Sequence, residues 1–213
     1  MILKEGRFLV TLTAIAAAVT HVFAGWIGSL PVLAVALALA YVYRDPEREV
    51  PAVPLGVVSP ADGTVETVER RRDPYLERDA LCVRLRMGPF DAYSMRSPVE
   101  GRVVQRWYSG RDAEPAGRRT KLRYGLWIQT DEQDDVVLTM LRKASWRAPR
   151  CYVQAGERVG QGQRCGIVPF GSVLEVYMPF DARGVPRPGE RLHAGADLLA
   201  TLTRRSAPQR PGA

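Results

Sequence analysis

The chain has 213 residues, room for one domain and an appendage, and 46% of them are apolar, enough for a core. Thirty Lys and Arg against 23 Asp and Glu leave a net charge of +7, which suits an anionic partner, either nucleic acid or lipid. Two histidines, His21 and His193, and three scattered cysteines without a C-x-x-C pair exclude a His-rich metal site, a zinc finger and a disulfide framework.

From Phe8 to Tyr43 there is no Lys, Arg, Asp or Glu. Residues 8–28 are long enough to span a hydrocarbon core at about 1.5 Å per residue. Residues 29–43 are short for a span of their own. Gly28-Ser29-Leu30-Pro31 predicts a break between the two, with Pro31 in the first turn of the second helix. A tight hairpin and a single tilted or kinked span both fit. Lys4 and Arg7 before the segment, and Arg44 and Arg48 after it, favour two cytoplasmic ends and hence the hairpin. The apolar stretch is longer than a signal-peptide h-region, and no small-residue cleavage site precedes Tyr43-Arg44. The segment therefore reads as a retained anchor in the cell membrane, with the rest of the chain on the cytoplasmic side. The anchor turns the basic surplus toward an anionic membrane surface and away from nucleic acid. His21 reads as a helix-interface residue. Pro46, Pro51 and Pro54 make 44–56 a stiff linker.

Beyond the linker, short β-type runs are separated by Gly, Pro and Asp. They fall at 64–68, 81–85, 101–104, 126–130, 136–141, 173–178 and 198–202. No sustained helical period follows Tyr43. The fold class is mainly β: a compact barrel-sandwich-like domain over 57–203, preceded by an N-terminal transmembrane helical hairpin over 1–43. The basic tail 204–213 is expected to be disordered. Two internal echoes support paired hairpins. Ser59-Pro60-Ala61-Asp62-Gly63 matches Ser97-Pro98-Val99-Glu100-Gly101. Gly156-Glu157-Arg158-Val159 matches Gly189-Glu190-Arg191-Leu192. Each has turn chemistry. The second pair reads as turns and no more. A lipoyl-like carrier would need a lysine at a hairpin tip, and Lys121 and Lys143 do not sit in such a pattern. The glycines of 160–166 have the wrong spacing for a dinucleotide site, and no P-loop, H-E-x-x-H or G-x-S-x-G motif is present.

Gly171-Ser172 stands between two apolar strand-like runs. Glycine permits a strained backbone. The following hydroxyl can attack the Gly171 carbonyl, and β-elimination from the resulting ester would leave a dehydroalanine that hydrolyses to a pyruvoyl group. The attack needs a base and donors for the developing oxyanion.

The ordered set of Arg44-Asp45-Pro46, Ser59-Pro60-Ala61-Asp62-Gly63, Gly88-Pro89-Phe90-Asp91, Arg96-Ser97-Pro98-Val99-Glu100-Gly101, Gly160-Gln161-Gly162-Gln163-Arg164-Cys165-Gly166 and Phe170-Gly171-Ser172, behind an apolar anchor, resembles the phosphatidylserine decarboxylase proenzyme family in its short, membrane-anchored form. The resemblance implies self-cleavage between Gly171 and Ser172. It would leave a β subunit ending at residue 171 and an α subunit starting at 172, whose pyruvoyl group, made from Ser172, is the cofactor. The substrate phospholipid would join that group as a Schiff base, lose carbon dioxide and leave as phosphatidylethanolamine. The same resemblance implies that Asp62 orients or assists the base, with Asp91 a second carboxylate beside it. Where the family carries histidine, after one intervening residue beyond the Phe-Asp pair, this chain has Tyr93, which suits proton donation better than proton removal. No metal is implied. The alternative is an unprocessed, non-catalytic membrane-bound relative that binds lipid or a partner protein.

Overall fold

A computed structural model describes residues 4–109, 123–142, 150–168 and 171–203. The basic residues Arg111, Arg118, Arg119, Lys121, Lys143 and Arg147, together with Pro169, Phe170 and the tail 204–213, lie outside the described residues.

The chain opens with one long apolar helical segment, α1 (Lys4–Val42). Gly6–Val42 is long and apolar enough to cross a membrane, with a mean hydropathy of 2.1 over its most apolar window. Its threonine hydroxyls are satisfied locally: Thr11, Thr13 and Thr20 donate to the carbonyls of Arg7, Leu9 and Ala16 at 2.8, 2.8 and 2.9 Å, so these donors are not left bare toward an apolar solvent. The helical geometry breaks at Gly25 (φ 66°, ψ −165°), and not at Gly28–Pro31 as the sequence suggests. A positive φ costs glycine almost nothing, so the break settles there. Pro31 stays inside the helix, early in the second stretch, where its missing N–H affects only the first turns. Residues from both ends of α1 meet: Leu9, Leu39 and Val42 pack with Tyr43 and Ile167, and Gly6 lies against the Tyr43 ring.

After α1 the described residues hold strands and no helix. The long strands are β2 (Gly63–Arg72), β3 (Asp79–Arg86), β5 (Gly101–Ser109), β6 (Arg123–Gln129), β7 (Asp135–Arg142) and β11 (Ser172–Pro179). With the short β9 (Arg158–Val159) and β12 (Arg191–Leu192) they form one curled antiparallel sheet of eight strands, in the order β12-β2-β3-β11-β7-β6-β5-β9. Two small sheets cover its concave face. One is β4 (Ser94–Arg96), β10 (Arg164–Ile167) and β8 (Arg150–Cys151); the other pairs β1 (Gly56–Val58) with β13 (Leu198–Thr201). The core lies between the layers. Leu85, Leu126, Leu138, Met140 and Leu174 from the large sheet meet Val57, Met95, Cys165 and Leu199 from the small ones.

All seven sequence-predicted runs are strands. The charged second half of β2 was hidden by Glu69-Arg70-Arg71-Arg72, whose backbone pairs with β3 all the same. Both sequence echoes are structural repeats. Ser59 Oγ donates to Ala61 O at 2.8 Å, and Ser97 Oγ to Val99 O at 2.7 Å. The two echo pairs also bind each other. Val65 N and Gly189 N bond to Glu190 O and Val65 O, both at 2.8 Å. Val103 N and Gly156 N bond to Glu157 O and Val103 O, at 2.8 and 2.7 Å. The second pair is therefore more than turns: each member closes one half of a pseudo-symmetric fold.

Leu174 is fully buried in the central strand β11. Leu174→Ala should lower stability by about 3 kcal/mol, within the range for Leu-to-Ala core truncations, as measured by chemical denaturation of the detergent-solubilised protein.

Candidate active site

Strand register gathers the candidate residues at one end of the large sheet. Val173 and Thr64 both align with Arg86, and Arg191 aligns with Thr64. The start of β11, the start of β2, the end of β3 and the edge strand β12 therefore share that end. Alternation along β11 then decides which way Ser172 faces. Leu174, Val176 and Met178 enter the main core, whereas Tyr177 packs on the opposite side with Trp107 and Trp127. Ser172 shares the parity of Leu174, so it lies on the concave side.

Ser172 is 1% exposed, and its Oγ has no hydrogen-bond partner among the described residues. A buried hydroxyl without a partner is costly and needs a reason. Its backbone is held, since Met87 N donates to Ser172 O at 3.2 Å. Gly171 has φ 73°, and a Cβ there would meet nothing within 4 Å. The glycine thus serves the backbone conformation and not a tight space.

Asp62 precedes β2 and is buried. Arg48 grips it with both terminal nitrogens, the second at 2.8 Å from Oδ2. Ala194 N donates to its Oδ1 at 2.9 Å and Ala92 N to its Oδ2 at 3.3 Å. Burial pushes the carboxyl upward, but the Arg48 bond and the backbone donors outweigh it and hold the group below the usual carboxylate range. Asp62 is therefore a fixed anion. Asp91 is also buried. Its Oδ2 accepts from Gly88 N at 2.7 Å, and its Oδ1 is paired with Arg191.

Tyr93, two residues on, is partly buried. Its ring meets Tyr43 edge-on at 5.7 Å, and its carbonyl accepts from Val168 N at 2.8 Å. The structure thus brings Asp62 and the 91–93 loop together through Ala92. It places Ser172 at the same sheet end, with no hydrogen bond from Asp62, Asp91 or Tyr93 to its Oγ. His193 turns away, with Nδ1 2.8 Å from Asp197.

Sequence reasoning missed the two arginines. Arg48 was legible only as a flank of the membrane segment, and Arg191 only as part of a turn. Both are partners of the candidate carboxylates.

The phosphatidylserine decarboxylase family model matches residues 35–200, which include Asp62, Asp91 and Ser172. The chain belongs to the phosphatidylserine decarboxylase family. A phosphatidylserine decarboxylase proenzyme of Nitrosomonas europaea is 34% identical over 204 residues, covering 94% of both chains. That of Nitrosomonas eutropha is 35% identical over the same shares. That of Aromatoleum aromaticum is 34% identical over 206 residues, covering 95% of this chain and 96% of the relative. No solved structure matches the chain. Phosphatidylserine decarboxylase relatives of near-equal length thus align with this chain over almost all of it.

Arg48→Ala should cost roughly 3–5 kcal/mol, because it strands a buried carboxylate; a loss under about 1 kcal/mol in denaturant titration would contradict the pairing. Asp62 has a depressed folded pKa, so its contribution is full above its ordinary value near ~4 and fades as pH falls through the lower folded value. Wild-type and Asp62→Asn stability curves should therefore converge on acidification below about pH 4 and separate at neutral pH.

Proposed function

We propose that the protein is a membrane-anchored phosphatidylserine decarboxylase that makes its own pyruvoyl group from Ser172. The observation that carries this reading is a buried, unpartnered Ser172 hydroxyl directly after a positive-φ glycine, in a chain of this family.

In the maturation step Ser172 Oγ bonds to the Gly171 carbonyl carbon. The Gly171–Ser172 C–N bond breaks, and the hydroxyl proton ends on the freed amine. The Ser172 Cα then loses its proton, the Cβ–Oγ bond breaks, and Gly171 leaves as a carboxylate. The enamine left at residue 172 tautomerises and hydrolyses to the pyruvoyl group and ammonia. A pyruvoyl group at this position supplies a carbonyl that takes the substrate amine and accepts the electrons released with carbon dioxide.

The remaining roles fall to the chain's own side chains. Asp62, ionised and clamped by Arg48, orients the 92–93 backbone through Ala92 N–H. Tyr93, with a phenol whose ordinary pKa is ~10, donates a proton or hydrogen bond and does not remove one. Asp91 holds the 88–91 turn and Arg191 at the mouth of the site.

The anchor is a hairpin in this reading. An unbroken helix of 39 residues would separate its ends by about 58 Å, yet Gly6 touches Tyr43, and Leu9 and Leu39 both pack against the Tyr43–Ile167 cluster. The stretches on either side of Gly25 are each about 25–30 Å long, enough for a bilayer core. Lys4 and Arg7 before the segment and Arg44 and Arg48 after it favour two cytoplasmic ends.

Intact mass should show two fragments, 1–171 and 172–213, the smaller with a blocked N-terminus, and Ser172→Ala should stay whole. A wild-type chain that remains whole after long incubation would instead favour the unprocessed, non-catalytic relative. Protease added to sealed vesicles of known orientation should reach an N-terminal tag and the β domain from the same side; access from opposite sides would sink the hairpin.

A further inference from the structure

A cavity of about 500 Å³ opens where β5 and β6 of the large sheet face β8 of a small one. It is lined by Arg106, Trp107, Tyr108, Tyr124, Arg150, Cys151 and Tyr152, with no carboxylate among its lining residues. Tyr124 is 8% exposed, and its hydroxyl, buried at this cavity beside Arg106 and Cys151, makes no hydrogen bond of good geometry among the described residues. Arg106 donates one of its five N–H groups to Val153 O at 2.8 Å, which steadies the guanidinium. Arg150 and Tyr108 are exposed at the rim. Two guanidiniums and a hydroxyl donor without a well-formed hydrogen bond form a site for an acceptor-only anion.

The location narrows the anion. Leu174, Met140 and Tyr124 align across three adjacent strands, and Ser172 lies two residues before Leu174 on the same face. Two strand spacings and two residue steps put the Cα atoms of Ser172 and Tyr124 roughly 12 Å apart, a gap that two side chains and a small headgroup fill. Arg150 aligns with Ile167, which packs against Tyr43 at the end of the anchor. The cavity therefore sits beside the point where the chain leaves the membrane segment.

We propose that this cavity binds the phosphodiester of the phospholipid headgroup, between Arg106 and Arg150 and with the Tyr124 hydroxyl donating to a phosphate oxygen. The proposal rests on the Ser172 reading only for the direction in which the serine end of the headgroup points. The chemistry favours phosphate over the substrate carboxylate. An arginine on the carboxylate would stabilise the group that must leave as carbon dioxide, whereas the phosphate keeps its charge throughout. One carbon and one oxygen separate the phosphate from the reacting carbon, so a fixed phosphate also fixes that carbon.

The test is a calorimetric titration of full-length protein in detergent, in a Ser172→Ala background so that processing plays no part. The probes are glycerophosphoserine, inorganic phosphate and serine. Glycerophosphoserine should bind, phosphate should compete with it, and serine should not. Arg150→Gln, at the exposed rim, and Tyr124→Phe, which removes only the hydroxyl, should each weaken glycerophosphoserine about tenfold. Absence of glycerophosphoserine binding, binding of phosphate alone, or variants that bind like their parent would each overturn the proposal. In the Ser172 background, the same two variants should raise KM for phosphatidylserine with self-cleavage intact. A wild-type chain that fails to cleave would defeat the Ser172 reading and leave the binding result standing.

Discussion

A buried carboxylate at the open end of the large sheet ties three distant segments to one point. Asp62 accepts from Arg48 in the linker, Ala92 in the loop after β3, and Ala194 after β12. A charge so far from water must be matched donor for donor, so each segment has one allowed position. The linker is pinned a second time, since Asp45 lies 3.4 Å from Arg96 and 3.6 Å from Arg164. These two ion-pair sites set where the apolar segment α1 meets the β domain. They place the Tyr43 end of α1 beside Tyr93 and Ile167, against the same face that carries the candidate chemistry.

The internal repeat shows how one turn came to serve two ends. The Ser-Pro turns at 59–63 and 97–101 share a hydroxyl-to-carbonyl bond, and each is closed by its own Gly-Glu partner. The acid in the turn differs. Glu100 is exposed and lies 4.0 Å from Arg158 on the surface, whereas Asp62 is buried and collects four donors. The turn itself is structural in both halves. Burial of the acid, in one half alone, makes a fixed negative charge at the site.

The site is unusual in what it withholds from Ser172. Both neighbouring carboxylates are committed to arginines, and the serine hydroxyl has no partner among the described residues. A fully paired serine would be an inert strand residue. An unpaired one behind a left-handed glycine suits attack on the preceding carbonyl. Tyr124 also holds a buried hydroxyl without a well-formed hydrogen bond on the same face, beside Arg106 and Cys151. In the proposed headgroup site, Ser172 would meet the reacting end and Tyr124 the phosphate.

Much of this was legible in the chain. Seven β runs and the long apolar N-terminal segment follow from periodicity, turn chemistry and charge gaps, which are local properties, whereas the Gly171-Ser172 bond and Asp62 stood out through the ordered motifs that resemble the family. The short strands β1, β4, β8, β9, β10 and β12 were not legible, because two to four residues carry no period. The break at Gly25 was misplaced because Gly28 and Pro31 give the stronger local signal, while the choice among glycines was made by packing between the ends of α1. Arg48 and Arg191 could not be assigned to Asp62 and Asp91, since pairings across 14 and 100 residues leave no spacing rule. Composition and ordered motifs thus determined the class of the protein, its apolar N-terminal segment and its candidate bond. Tertiary structure decided which charges meet, which hydroxyls are left without partners and which face they share, because those depend on burial and strand register that no local stretch of sequence contains.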